Sequence, residues 1–289
     1  MKVFCCAKND EFIRISFGFR PICAKISWCA NEGDDNNMTT YKLLALDMDG
    51  TLLNELSEIS AENAEWIRRA LDAGVTVSFS TGRGFESALP FAEQLKLTTP
   101  MITVNGGEIW ARPHVLHQRT ELSPIYVKRL HELALQYPEV WYWAYTTQRI
   151  YNKEKWFEAD QDYDSFHWLK FGYYTEDDGA REAILAETSS WEAFEITNSS
   201  PHNIELNPVG VSKASALKEL CRLLDIDMSQ VIAAGDSLND IAAIREAGLG
   251  VAMGNAQAAV KEAADAVTLT NDENGVAAII KKYIFGVTP

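Results

Sequence analysis

Cysteine is missing from most of the chain. Of five cysteines, four (Cys5, Cys6, Cys23 and Cys29) fall in the first 30 residues and only Cys221 lies beyond them. A disulfide-stapled extracellular domain spreads its cysteines through the fold, and these four do not have the spacing of a zinc site. A reducing, cytoplasmic compartment is therefore expected. No stretch approaches the ~20 uncharged apolar residues of a membrane span, so no membrane partner is expected. Basic charge is in deficit, with 26 Lys and Arg against 41 Asp and Glu and a net charge of −15. Phosphate backbones are held mainly by Lys and Arg, which argues against nucleic acid as a partner. The five histidines (His114, His117, His131, His167, His202) show no metal-like spacing. Internal repeats and low-complexity tracts are absent.

What remains is an ordinary globular composition, 47% hydrophobic over 289 residues, enough for one large domain or two smaller ones. Residues 1–40 read as a flexible leader. Its charges cancel through residue 37, its apolar stretch is interrupted by Arg14, Arg20 and Lys25, and it ends in the linker-like NEGDDNN. These interruptions spoil a signal-peptide core. Met38 reads as the natural start, the alternative being a genuine N-terminal appendage.

From residue 41 strand and helix patterns alternate. The continuous apolar run LLAL (43–46) predicts a parallel strand buried on both faces, and further strands are predicted at VTVSFS (75–80), MITV (101–104), VIAAGD (231–236), LGVAM (249–253) and DAVTLT (265–270). Helices are predicted at 62–73, between a Ser60 cap and a Gly74 stop, and at about 213–225, 238–247 and 256–264. The fold class is α/β: a doubly wound, Rossmann-like parallel-sheet core from 41–120 and 209–289. Residues 121–208 differ in texture and predict an inserted α+β cap, crowded with Trp, Tyr and Phe from Trp141 to Tyr174. Those rings could form a stacking pocket, but a domain of under ~90 residues needs large side chains to build any core.

LLALDMDGTLL (43–53) poses the chemical question. A buried strand ends in two aspartates one residue apart. Desolvated carboxylates are costly and repel each other, so both must stay wet or share something positive. Three further stretches stand at strand ends or helix starts: Ser80-Thr81-Gly82-Arg83, Gly210-Val211-Ser212-Lys213, and Gly235-Asp236-Ser237-Leu238-Asn239-Asp240. In a doubly wound sheet all four face one crevice beyond the carboxyl ends of the strands. Such a crevice holds Asp47, Asp49, Asp236 and Asp240, an inventory that calls for a hard divalent cation such as Mg²⁺. Lys213, Thr81 and the backbone N–H groups at helix starts suit phosphate oxygens. One aspartate can then attack phosphorus while the other moves protons.

In order and spacing, DMDGT, STGR, GVSK and GDSLND resemble the four motifs of the haloacid dehalogenase-like superfamily. ITVNGGEI, NPVGVSKASAL and AAGDSLNDIAAIREAGLGVAMGNA resemble its Cof-type phosphatases. The resemblance implies Asp47 as nucleophile and Asp49 as general acid and then base. It implies Mg²⁺ held by the side chains of Asp47 and Asp236 and by the backbone carbonyl of Asp49. Thr81, with Gly82, and Lys213 would bind the phosphoryl group, Asn239 would reach a phosphate, Arg83 would point toward the substrate, and Asp240 would support the metal site or Lys213. Ala214 departs from the glycine common after the lysine, and Ser80 beside Thr81 offers a second hydroxyl.

Each feature alone has a plainer reading. Asp49-Gly50 is a common turn and Asp236-Ser237 a helix cap. Arg83 could lie on the surface, and Asn105-Gly106-Gly107 reads as a turn. A lysine opening a helix is electrostatically misplaced, which favours function for Lys213. Taken together, the motifs predict a Mg²⁺-dependent phosphatase acting on a small phosphorylated metabolite such as a sugar phosphate, a nucleotide or a cofactor phosphate. The alternatives are a sugar phosphomutase using the same aspartyl-phosphate and a non-catalytic phosphometabolite-binding protein.

Overall fold

The computed structural model describes residues 40–157 and 162–287. The leader expectation, apart from Thr40, and the four early cysteines lie outside the described residues. The strand β1 (Leu43–Leu46) is buried at all four positions. It leads to α1 (Ala61–Asp72), where the Ser60 hydroxyl accepts from the Asn63 N–H. Next come β2 (Thr76–Phe79), α2 (Phe85–Gln94) and β3 (Met101–Thr103), then a bulged hairpin of β4 (Glu108–Arg112) and β5 (Val115–Arg119).

The inserted segment contributes α3 (Pro124–Ala134), β6 (Trp141–Thr146), β7 (Ile150–Asn152), β8 (Trp168–Tyr174), α4 (Asp178–Ser190), β9 (Phe194–Thr197) and β10 (Asn203–Pro208). The chain then resumes the first pattern with α5 (Lys213–Leu224), β11 (Val231–Gly235), α6 (Ile241–Glu246), β12 (Leu249–Ala252), α7 (Ala258–Ala263), β13 (Ala266–Val267) and α8 (Gly275–Ile279).

The main sheet has the order β13-β12-β11-β1-β2, every pair parallel. A parallel bridge from Ser80 to Ile102 sets β3 beside β2. The chain leaves β1 toward β2 and later returns to β11 on the other side, so the order reverses at β1. In doubly wound sheets ligands bind at that switch point. Apolar side chains alternate along β1 as the pleat demands. Leu44 and Leu46 join Phe79, Ile67 and Val251 on one face, and Leu43 and Ala45 join Leu217, Leu220 and Val231 on the other.

The expected α/β architecture is present, with local differences. β3, expected as a parallel strand, pairs antiparallel with β4 in a three-stranded sheet β3-β4-β5 and meets β2 only through the Ser80–Ile102 bridge. Helix α2 and the β4–β5 hairpin were not foreseen, the latter because β5 is exposed or half-exposed throughout and lacks an apolar alternation. DAVTLT pairs only at Ala266–Val267. The 238–247 helix begins as a tight turn at Leu238–Asp240 before α6.

The inserted sheet is antiparallel at every pairing, in the order β7-β6-β8-β10-β9. Tyr142, Ala144, Phe171, Tyr173, Ile204 and Leu206 form one face and pack with Val127, Leu130 and Ile184 of α3 and α4. Most of the aromatic excess is used here. Trp156, for example, touches Tyr142, Tyr151, Trp168 and Phe171. The other face carries Trp143, Tyr145, Lys170, Gly172 and Glu205, in the rows Trp143–Gly172–Glu205 and Tyr145–Lys170. No helix among the described residues is long and apolar enough to cross a membrane.

Leu44 has no solvent exposure at the centre of the sheet. Leu44→Ala is expected to destabilise the fold by about 2–5 kcal/mol, measured as a lowered urea midpoint at unchanged slope.

Candidate active site

The site is built where β1 stops. The Asp47 N–H continues the ladder by donating to Ala234 O at 3.0 Å, after which the chain turns through Met48–Thr51. Gly50 has φ +75°, a left-handed conformation that favours glycine. A Cβ there would lie 2.6 Å from Asp236 Oδ2, so the Asp-Gly turn also makes room for the β11 carboxylate. The Thr51 hydroxyl donates to Asp236 Oδ1 at 3.1 Å and joins the two loops.

Lys213 is the first residue of α5, behind Ser212, whose hydroxyl accepts from the Ser215 N–H at 3.1 Å. The Lys213 side chain has 0% exposure, and its Nζ donates to Asp47 Oδ1 and Asp240 Oδ1, both at 2.7 Å. The second oxygen of Asp240 accepts the backbone N–H groups of Asp236 and Ser237 at 3.0 and 3.1 Å. Asp240 therefore spends both oxygens fixing the lysine and the 236–240 loop.

Carboxylate oxygens of Asp47, Asp236 and Asp240 lie within 4.8 Å of one another. Three carboxylates against one ammonium leave two negative charges over, which is the charge of one divalent cation. The imbalance shows in the proton affinities. Burial pushes the Asp47 carboxyl well above the ordinary range, and Asp240 and Asp236 push it the same way against the pull of Lys213. Burial and Asp240 move Asp236 up to about 6. Burial would lower the Lys213 ammonium, but Asp240 and Asp47 hold it above its usual value. An all-oxygen, negatively charged donor set with two carboxylates still facing inward fits a hard cation such as Mg²⁺. Asp47, with Oδ2 uncommitted, and Asp236, whose oxygens accept only the Thr51 and Ser237 hydroxyls, are the side chains that could hold it.

The strand β2 delivers the next loop. The Ser80 N–H donates to Leu46 O at 2.7 Å, one residue before Asp47. Thr81 is buried, and its Oγ1 accepts the Arg83 N–H at 3.1 Å, which leaves the hydroxyl hydrogen free to donate. Ser80 Oγ is buried with no hydrogen-bond partner among the described residues. Arg83 forms a two-pronged ion pair with Asp49, Nε to Oδ2 at 2.8 Å and Nη2 to Oδ1 at 2.6 Å, while Asp49 remains 55% exposed. The Asp49 partner raises the Arg83 guanidinium against the effect of its partial burial.

The structure thus brings Asp47, Lys213, Asp236 and Asp240 into direct or one-step contact, and joins Asp49 to Arg83. It gives Asn239 a different neighbour: its Nδ2 donates to Asn105 Oδ1 at 3.1 Å. Asn105 is a buried polar junction as well as part of a turn. Its amide donates to Glu205 at 2.6 Å and to Asn207 at 3.3 Å, both on β10 of the inserted segment. Lys170 of β8 completes the group, with Nζ donating to Gly82 O at 2.8 Å and Glu205 Oε2 at 3.0 Å. Glu205, Asn207 and Lys170 did not stand out in the sequence. The trace of Glu205 and Asn207 is the polar alternation Asn203, Glu205, Asn207 across Ile204 and Leu206, on a strand that is buried on both faces; Lys170, on β8, leaves no such trace.

Residues 44–280 match the model of the family described as haloacid dehalogenase-like hydrolase. The chain is 46% identical over 243 residues to the 5-amino-6-(5-phospho-D-ribitylamino)uracil phosphatase YcsE of Bacillus subtilis, spanning 84% of this chain and 96% of that protein. Phosphatase YwpJ of the same organism is 32% identical over 290 residues, spanning 84% and 100%. A solved haloacid dehalogenase-like hydrolase from B. subtilis is similar with a TM-score of 0.76 at 30% identity, covering 83% of this chain and 99% of its own.

Lys213 is the cation buried among the three carboxylates. Without divalent metal, Lys213→Met is expected to lose about 3–5 kcal/mol at pH 7.5. The loss should shrink toward pH 5.5. Carboxyls whose folded proton affinity is raised take up protons sooner in the folded state, so they add stability as pH falls. Urea unfolding in EDTA at the two pH values measures both effects.

Proposed function

The chain belongs to the haloacid dehalogenase-like hydrolase family and is a phosphatase, and we propose that it hydrolyses a small phosphomonoester through a phosphorylated Asp47, with Mg²⁺ as cofactor. The observation that carries this reading is the buried Asp47 at the sheet's switch point, fixed at one oxygen by Lys213 and facing Asp236. Asp47 Oδ2 attacks phosphorus, the bond from phosphorus to the leaving oxygen breaks, and Asp49 gives that oxygen its proton. A water then attacks the same phosphorus and passes its proton to Asp49, releasing phosphate and restoring the Asp47 carboxylate. Asp49 is clasped by Arg83 in this structure, so the clasp must loosen for Asp49 to carry the proton it donates.

Lys213 has three donors, two of them engaged with Asp47 and Asp240; the third is assigned to a phosphoryl oxygen. The free Thr81 hydroxyl hydrogen and the N–H groups around Gly82 are assigned to the others. The side chains of Asp47 and Asp236 and the backbone carbonyl of Asp49 would hold Mg²⁺. When bound, it supplies the positive charge that lets one anion approach another. Asp240 supports the site through Lys213 and the 236–240 loop, and Asn239 stands beside it, turned to Asn105.

The leaving group then lies against the open face of the inserted sheet, which acts as a cap. Tyr145 on that face packs over the Lys170 ammonium at 4.7 Å. Trp143 lies flat on the sheet: a Cβ at Gly172 would come 2.3 Å from its ring. Trp143 has no aromatic neighbour among the described residues, unlike the rings of the opposite face. We assign it to stacking on a planar group. The name of the 46%-identical relative specifies a ribityl phosphate bearing an aminouracil, and a ring-bearing polyol phosphate of that kind is the substrate class proposed here. Water as the final acceptor, rather than a sugar as in a phosphomutase, is the reading that accords with the hydrolase family.

Asp47→Asn is expected to lower phosphate release at least ~10³-fold with little change in melting temperature; near-normal turnover would sink the mechanism. EDTA is expected to stop wild-type turnover and Mg²⁺ to restore it, and indifference to chelation would exclude the metal role. Trp143→Ala is expected to raise KM for an aminouracil ribityl phosphate about tenfold, in line with ring stacking. KM for glycerol phosphate should stay within about twofold, and an equal rise for both would refute the stacking role.

A further inference from the structure

We propose that Lys170 is a positioning residue: carried on the inserted sheet, it completes the Thr81–Arg83 loop, which takes its working shape only while that sheet is seated on the core. The proposal rests on the assignment of that loop to the phosphoryl group. Three consecutive carbonyls define the loop's course. Thr81 O accepts the Asn105 N–H at 2.9 Å and Arg83 O accepts the Val104 N–H at 2.8 Å. The middle carbonyl, Gly82 O, accepts Lys170 Nζ at 2.8 Å. The outer two ties come from the core's own β3 end, and the central one comes from the insertion.

The loop behind these ties is held in an unfavourable backbone. Val104 and Asn105 have φ of 54° and 56°, left-handed values that are costly for a β-branched residue and persist only where the surroundings over-determine them. The surroundings here include the insertion as well as the core. Asn105 is bound through its side chain to Glu205 and Asn207, and Asn207 Nδ2 returns to Val104 O at 2.9 Å.

Lys170 itself is 2% exposed. A buried ammonium is tolerated when its donors are used. Two point at Gly82 O and Glu205 Oε2, and the Tyr145 ring faces the ammonium as well. Glu205 is equally committed, its other oxygen accepting from Ser199 Oγ at 2.6 Å. Burial would raise the Glu205 carboxyl, yet Lys170, Ser199 and Asn105 hold it below its ordinary value. Lifting the inserted sheet would separate Lys170 and Glu205 from Gly82 and Asn105 together. Loop geometry and cap position are therefore one equilibrium. A second contact makes the seating two-point: Asn239 N–H donates to Asn198 O at 3.2 Å, tying the β9–β10 turn to the loop that carries Asp236 and Asp240, while the single Ser237 hydroxyl hydrogen is shared between Ser199 O at 3.2 Å and Asp236 Oδ2 at 3.0 Å.

The test is Lys170→Met in the full chain, read by hydrogen exchange over residues 80–86 and by kcat on p-nitrophenyl phosphate with Mg²⁺, below the variant's melting temperature. Exchange at 80–86 is expected to rise and kcat to fall about 10²-fold, the scale of a reacting group displaced by about an ångström. Unchanged exchange, or kcat within about twofold of wild type whatever the melting temperature does, overturns the proposal. If Lys170→Met does not fold, Lys170→Met with Glu205→Leu removes the stranded carboxylate as well and carries the same expectation. Exchange reads the loop without turnover. A wild type that released no phosphate would therefore count against the phosphatase mechanism, while the exchange result would still decide the role of Lys170.

Discussion

Three carboxylates around one buried lysine are the constraint on which the rest of the site depends. The Asp47–Lys213–Asp240 chain can exist only if β1, the start of α5 and the loop after β11 arrive at one point. The parallel order around β1 brings them there: β1 pairs with β11 in register from Leu43 to Leu46, so Asp47 follows the strand directly into the Asp236 loop. Asp240 turns back to hold that loop's N–H groups, which makes the acidic motif a rigid shelf. On the proposed reading, the two surplus negative charges serve to hold a divalent cation. They cost stability in the empty protein and become favourable when a divalent cation neutralises them.

Much of this was legible in the sequence because the signals were local. Four apolar residues in a row, a pair of acids at their end, and a serine before a lysine each predict their own geometry, and each falls where expected. The α/β alternation was equally readable, since a strand buried on both faces leaves an unbroken apolar run. Ser212 also resolves the apparent misplacement of Lys213. The serine caps the helix, and the lysine beside it is held by two carboxylates that outweigh the unfavourable end of the helix dipole.

What was not legible was long-range. Asn105 read as a turn because Asn-Gly-Gly is turn chemistry, and it does turn, but its side chain meets Glu205 a hundred residues later in the chain. Lys170 sits in an aromatic strand and has no local reason to be charged; its reason is the Gly82 carbonyl of a different sheet. Arg83, which could have been a surface residue, is instead the clasp on Asp49. Period-two alternation tells which face of β10 is polar, but only the tertiary structure says what that face meets. The same holds for the aromatic insertion. Composition foretold a packed core, and it could not separate Trp143 from the rings that build that core.

The two faces of the inserted sheet divide the labour accordingly. One is packed by α3 and α4 and builds the core of the inserted segment. The other carries the ties to the core loops, through Lys170 and Glu205, and also Trp143 and Tyr145, to which the proposed function assigns the leaving group. Because these lie in adjacent cross-strand rows, Trp143 with Gly172 and Glu205, and Tyr145 with Lys170, a leaving group resting on the aromatic side, as proposed, would press on the strands that hold the Thr81–Arg83 loop. On that reading, recognition of the leaving group and organisation of the phosphoryl site would share one sheet. Selectivity in such an arrangement falls on kcat as well as on binding, since a substrate that seats the sheet poorly also leaves the loop incompletely formed.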